Sequence, residues 1–179
     1  MTRPLLILDL DETLVYAAEQ PLERTLECRV GPYFVYRRPG VDVFLDTVSR
    51  WFEPAIWTSS SCDYAYAMLD TAFPNGPEWK FVWARERCTR RYHPELQAEY
   101  WLKDLQKIRR LGYALERTVM VDDSPEKLQR HYGNLVRVSP FMGDSADEEL
   151  PLLTPFLEYL SGLENVRRVE KRNWRYYRS

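Results

Sequence analysis

The sequence predicts an α/β fold, a parallel sheet flanked by helices. Three observations predict it. Short apolar runs rich in branched residues recur along the chain with almost no polar alternation, as strands covered on both faces require. Segments of helical period lie between those runs, which is the order of βαβ units. Finally, 179 residues, 45% of them apolar and 14% aromatic, suit one domain with a sizeable core and exclude a disordered chain.

The first strand is expected over Leu5–Leu8, and later ones over Ala55–Trp57, Phe81–Ala84, Thr118–Val121 and Leu135–Val138. After Arg38-Pro39-Gly40, the residues Val41, Phe44, Leu45, Val48, Trp51 and Phe52 recur at helical spacing and make an amphipathic helix. A second helix runs from near Asp63 to Pro74, whose ring cannot continue it. Leu102, Leu105 and Ile108 mark a third, ended near Gly112. A fourth opens at Ser145, with Glu148 completing a capping box, and carries Leu150, Leu153, Leu157 and Leu160.

Residues 17–37 break this rhythm. Thr25–Val30 alternates, Gly31-Pro32 turns and Tyr33–Arg37 continues, which reads as a β-hairpin inserted after the first strand. The segment 166–179 holds six basic residues and one acid beside Trp174, Tyr176 and Tyr177. A solvated end that frays is the expectation there; a binding patch for phosphate-bearing partners is the other reading.

Lys and Arg number 25 against 27 Asp and Glu, a formal net charge of −2, so no global field favours nucleic acid or an acidic membrane. Cys28, Cys62 and Cys88 form neither a CxxC pair nor a disulfide framework, which suits a reducing cytoplasmic setting, or a nuclear one in a eukaryote. The apolar run LLIL near the N-terminus is too short for a signal peptide or a membrane span. A soluble monomer is expected. His93 and His131 lack a partner pattern and read as ordinary surface or loop residues.

The chemistry sits at strand ends. Asp9 and Asp11 follow the first apolar run directly, and in an open parallel sheet ligands bind at the carboxyl ends of strands. Taken alone, the pair has two readings: a cation site, since oxygen-only ligands favour Mg²⁺, or a cap for the next helix. Asp122 and Asp123 follow the run TVMV in the same way, and four converging carboxylates without a cation would be very costly to bury. Thr58 ends a third strand and is followed by three serines whose hydroxyls suit phosphate oxygens; a helix N-cap is its alternative. Lys103, expected at a helix start, reads by itself as a surface lysine.

The order carboxylate pair, hydroxyl, lysine, carboxylate pair resembles the haloacid dehalogenase superfamily. The strings DLDETLV, RRPGVDVFL, IWTSS, WLKDLQKI and VDDSP resemble, in order, those of its RNA polymerase II C-terminal-domain phosphatase (NLI-interacting factor-like) group. FVWARERC and the closing PFMGDSADEELPLLTPFLEYL are similar too, so the match spans nearly the whole chain. The resemblance implies a Rossmann-like parallel sheet flanked by helices, without a large cap, and with the hairpin as a small flap.

It also implies a mechanism. Asp9 is then the nucleophile that forms an aspartyl-phosphate, and Asp11 the acid that protonates the leaving oxygen and later takes a proton from water. Mg²⁺ is held by the Asp9 carboxylate, the Asp11 carbonyl and the Asp123 side chain, with Asp122 in support. Thr58 and Lys103 bind phosphoryl oxygens, and Thr13 fixes the first loop by hydrogen bonding. Arg85, Tyr64 and Ser59 face the substrate, with Tyr33, Phe34 and Tyr36 of the flap as further candidates. A carboxyl acid at Asp11 suits phosphatases, whose alkoxide or phenoxide leaving group needs a proton. The implied substrate is phosphoserine or phosphothreonine in a protein or peptide. A small phosphorylated metabolite is the alternative, and a non-catalytic scaffold is disfavoured because Asp9 is present. Ser61 stands where the group carries an apolar residue in a proline-seating pocket, which sets recognition of a Ser-Pro peptide apart from the rest of the match.

Overall fold

A computed structural model describes residues 2–93, 95 and 97–177. Five parallel strands form the central sheet: β1 (Leu5–Leu8), β5 (Glu53–Trp57), β6 (Val82–Trp83), β9 (Thr118–Asp122) and β10 (Leu135–Arg137), in the order β10-β9-β1-β5-β6. All four β1 residues are fully buried because alternate side chains serve two cores. Leu6 and Leu8 face Val119, Val121 and Ile56, under the helices α1 (Val41–Trp51), α2 (Cys62–Ala72) and α4 (Glu149–Ser161). Leu5 and Ile7 face Ala55, Trp57, Met120 and Ile108, the last from the short α3 (Gln106–Arg109). A strand sandwiched this way has no solvent face, which is why the apolar runs carry no alternation. The five strands, α1 and α2 fall where the sequence predicts, within a residue or two at the ends.

The inserted segment is a three-stranded antiparallel sheet, β2 (Val15–Ala18), β4 (Tyr33–Arg37) and β3 (Cys28–Val30), ordered β2-β4-β3. The expected hairpin is present, turning at Gly31 with φ +56°, and Val15–Ala18 adds a third strand starting before the expected limit.

Several expectations need correction. Leu102 belongs to a hairpin, β7 (Thr89–His93) with β8 (Ala98–Leu102), and not to a helix. Its spacing to Leu105 and Ile108 mimics a helix because all three are buried, yet α3 opens only where the Asp104 carboxylate accepts the Gln106 N–H at 3.0 Å. Lys103 therefore sits after a strand, its N–H bonded to the Lys127 carbonyl at 2.8 Å. The capping box at Ser145 does not form; Asp147 Oδ1 accepts the Glu149 N–H at 3.0 Å, and α4 begins there. The C-terminal segment does not fray through residue 177: Val166 is fully buried, Trp174 is 2% exposed, and the indole donates to the Arg137 carbonyl at 2.7 Å. Arg178 and Ser179, the last residues of that reading, lie outside the described residues.

His131 is also not a surface residue. It is 5% exposed, and its Nε2 lies 2.9 Å from Asp104 Oδ1. The side chain of His93 lies outside the described residues. The three cysteines are unpaired. No helix among the described residues is long and apolar enough to cross a membrane.

Candidate active site

Adjacent parallel strands β9, β1 and β5 end level with one another. Their register pairs Leu8 with Val121 and with Ile56, so the next residues emerge together. Asp9 follows β1, Asp122 closes β9 with Asp123 after it, and Thr58 follows β5. The Asp9 N–H donates to the Val121 carbonyl at 2.9 Å and carries the ladder one residue into the site.

Asp9 is 1% exposed. Its Oδ1 takes the Leu10 N–H at 2.9 Å and lies 3.0 Å from Lys103 Nζ, while its Oδ2 accepts from Lys127 Nζ at 3.0 Å. Burial alone would raise its pKa, but the two ammonium groups hold it below the usual carboxylate value, so Asp9 is an anion at neutral pH. Lys103 is fully buried beneath the cavity and also meets Asp122 Oδ2 at 2.6 Å. Burial and the Asp9 charge both push Asp122 up.

Asp11 lies two residues further along the same loop. Tyr64 Oη donates to its Oδ1 at 2.5 Å and Ser60 Oγ to its Oδ2 at 2.7 Å. Burial lifts the Asp11 pKa, only partly opposed by these donors, which suits a group that must carry a proton. Thr58 Oγ1 accepts the Ser60 N–H at 3.0 Å and so holds the serine loop; it caps no helix. Arg85 donates to the Ser59 carbonyl at 2.7 Å and lies over the Trp101 ring; no described carboxylate pairs with it.

These residues surround an open cavity of about 480 Å³ that takes in Asp9, Asp11, Thr58, Ser59, Tyr64 and Arg85. Tyr33 reaches it from the flap and meets Tyr64 edge to face at 5.9 Å. Tyr36 does not: it is fully buried against Ala18 and Phe141, its hydroxyl accepting the Leu22 N–H at 2.8 Å. Phe34 packs under the Arg29 guanidinium. The Thr13 hydroxyl makes no hydrogen bond among the described residues; the loop is held instead by its carbonyl, which accepts from Arg38 at 3.1 Å.

The sequence reading missed Lys127 and Glu12. A lysine four residues after Asp123 in a polar string has the surface as its default, and only the turn Pro125–Leu128 brings it to Asp9. Glu12 takes a left-handed backbone, φ +54°, and lines the cavity; burial and neighbouring carboxylates push it up to about 7.

Asp9, Asp122 and Asp123 each offer an oxygen within 4.8 Å of the others, and Asp123 Oδ1 is buried with no hydrogen-bond partner among the described residues. An all-oxygen set with an orphaned carboxylate oxygen fits Mg²⁺.

A parallel α/β sheet with paired aspartates at two adjacent strand ends, a buried lysine and a serine-threonine loop defines a phosphatase of the haloacid dehalogenase type. Within it, the chain belongs to the NLI interacting factor-like phosphatase family, whose model matches residues 4–167. It is 30% identical to the zebrafish (Danio rerio) CTD nuclear envelope phosphatase 1B, over 98% of this chain and 74% of that one. It is 34% identical to the human (Homo sapiens) carboxy-terminal domain RNA polymerase II polypeptide A small phosphatase 2, over 89% of this chain and 58% of that one. The fission yeast RNA polymerase II CTD phosphatase Fcp1 shares the fold, with a TM-score of 0.60 at 19% identity; the match covers 89% of this chain and 49% of the Fcp1 chain.

Proposed function

We propose that this chain hydrolyses phosphoserine or phosphothreonine in a protein or peptide through an aspartyl-phosphate on Asp9, with Mg²⁺ as cofactor. The observation that carries the reading is Asp9 itself: an anion held on both oxygens by lysines, beside a raised Asp11, on the wall of an open cavity. In the first half-reaction an Asp9 oxygen attacks phosphorus, the bond to the serine oxygen breaks, and Asp11 delivers its proton to that oxygen. In the second, water attacks phosphorus, Asp11 takes the water's proton, and the bond to Asp9 breaks to release phosphate. Asp9, Asp123 and the Asp11 carbonyl would hold the ion, with Asp122 adjoining. When bound it offsets phosphoryl charge, so that an anionic nucleophile can approach an anionic ester. Lys127, Thr58 and the serine loop are placed to meet phosphoryl oxygens; Lys103, lying beneath, sets the charge of Asp9 and Asp122.

The peptide assignment draws on the relatives, which are named as phosphatases of a polymerase C-terminal domain or of the nuclear envelope. An open cavity edged by Tyr33 and Arg85 suits a chain passing across it. The test is hydrolysis of p-nitrophenyl phosphate with and without Mg²⁺, for the wild type and Asp9→Asn, followed by phosphopeptides against phosphorylated metabolites. Turnover that needs Mg²⁺, vanishes in the variant and favours peptides is expected. Equal turnover in both proteins would remove Asp9 from the mechanism, and preference for a metabolite would replace the substrate class.

A further inference from the structure

Charge is unevenly distributed on this molecule. The chain carries a net −2, yet one groove of about 620 Å³ is lined by Arg137, Arg167, Arg168, Lys171 and Arg172 with a single acid, Glu170. Most of these cations come from the C-terminal segment, and the fold holds that segment still. Lys171 is 6% exposed and donates to the carbonyls of Gly133 at 2.9 Å, Val169 at 3.0 Å and also Val166. Trp174 is tied to the Arg137 carbonyl from the other side.

The arginines around this anchor outnumber the acids that meet them. Glu170 pairs with Arg172, and Arg167 reaches Glu116 only at 3.9 Å, with both side chains solvent-exposed. The Arg168 guanidinium has no hydrogen-bond or ion-pair partner among the described residues. Guanidinium forks match carboxylates and phosphates in shape as well as charge.

The groove also adjoins the active site. Arg137 lies beside Asp122 in the sheet and donates to the Asp123 carbonyl at 3.3 Å. Pro125 lines the groove while Lys127, in the same turn, lines the catalytic cavity. A concave, cationic surface joined to the catalytic cavity by the Pro125–Leu128 turn fits an extended chain better than the flat face of a bilayer.

We infer that this groove docks an acidic segment of the phosphoprotein substrate, carboxylates or further phosphates lying a few residues from the phosphoserine at Asp9. The inference deepens the proposed function and rests on it for the word substrate; binding of an anionic peptide does not depend on it.

The test has two arms. In the first, a fluorescent Glu-rich peptide without phosphoserine is titrated by anisotropy into the wild type, Arg168→Glu/Arg172→Glu and the milder Arg168→Ala/Arg172→Ala, with phosphatidylserine vesicles and single-stranded RNA titrated in parallel. In the second, kcat/KM is compared for two phosphopeptides that differ only in a distal cluster of glutamates. The expected ratio is about tenfold in the wild type at low salt, carried by KM, falling towards one in the charge-reversed variant and at about 0.5 M salt. A wild-type ratio near one, a ratio the variants leave intact, or binding of vesicles or RNA without the peptide would overturn the inference. If the Glu-rich peptide binds and the variants lose it while neither phosphopeptide is turned over, the groove stands as an anionic-peptide site and the phosphoprotein reading falls.

Discussion

The hydroxyls of Tyr64 and Ser60, with that of Thr58 at 3.5 Å, hold Asp11 before any substrate arrives, and how much each bond matters depends on the leaving group. Burial and the Asp11 carboxylate push Tyr64 up, so its phenol remains a donor throughout the working pH range. Tyr64→Phe removes the 2.5 Å bond and lets the carboxyl turn. Because a nitrophenolate leaves without a proton and a serine alkoxide does not, the loss in kcat should be about tenfold or more on a phosphoserine peptide and under about threefold on p-nitrophenyl phosphate. Equal losses on both would make Tyr64 a substrate contact only. Lys127→Ala, which strips one of the two cations from Asp9, should lower kcat/KM about 100-fold on either substrate; a change under threefold would show that Lys103 suffices. The aspartates were legible because each follows an apolar strand, a pattern that fixes position along the chain. Lys127 and the Tyr64–Asp11 bond were not, because each depends on a turn or helix docking across the sheet.

At the scale of the element, the loop after β1, the start of α1 and the start of α4 are joined by one buried arginine. Arg38 is 1% exposed, meets both Asp147 oxygens at 2.8 Å, and donates to the carbonyls of Thr13 and Ser139. Asp147→Ala leaves that guanidinium without a counter-charge, and a loss of about 3 kcal/mol is expected from urea midpoints. The effect has a defined pH dependence. Burial favours the neutral Asp147, but its bonds to Arg38 dominate and hold the folded pKa below the unfolded 3.8. The unfolded chain therefore binds the proton first. The stabilisation is complete above pH 3.8 and is lost as the pH falls through the lower folded value. The gap between wild type and Asp147→Asn should accordingly stay constant down to about pH 4 and close below it; a gap that closed between pH 5 and 7 would assign the effect to another group. Helices with dense apolar repeats, such as α1, were readable because burial of Val41, Phe44, Leu45 and Val48 sets their period. The Ser145 box was not realised because the helix begins at Glu149, whose N–H goes to Asp147, a residue already committed to Arg38. Pattern reading sees local acceptors and not which of them a distant residue has recruited.

For the whole molecule, the C-terminal segment shows why composition misleads. Six basic residues in the last fourteen read as a solvated end, since the reading weighs charge and cannot see where each charge lands. In the fold, Lys171 is consumed by backbone carbonyls, Arg175 meets Glu149, and Trp174 closes the core over the β10 edge. The fold class was legible from the apolar strands and the helical periods between them, whereas this closure depends on a single tryptophan set among charges. Trp174→Ala should open a cavity costing roughly 3–5 kcal/mol, a fall in Tm of about 10 °C for a chain of this size. It should also free the Arg137 carbonyl and loosen the backbone that carries Arg168 and Arg172. Stability and affinity for an acidic peptide would then fall together, whereas Arg168→Glu/Arg172→Glu would lose affinity with Tm nearly unchanged. If Trp174→Ala shifts Tm by less than about 2 °C, the segment is the loose tail its charge suggests, and the arginines are not held in one place.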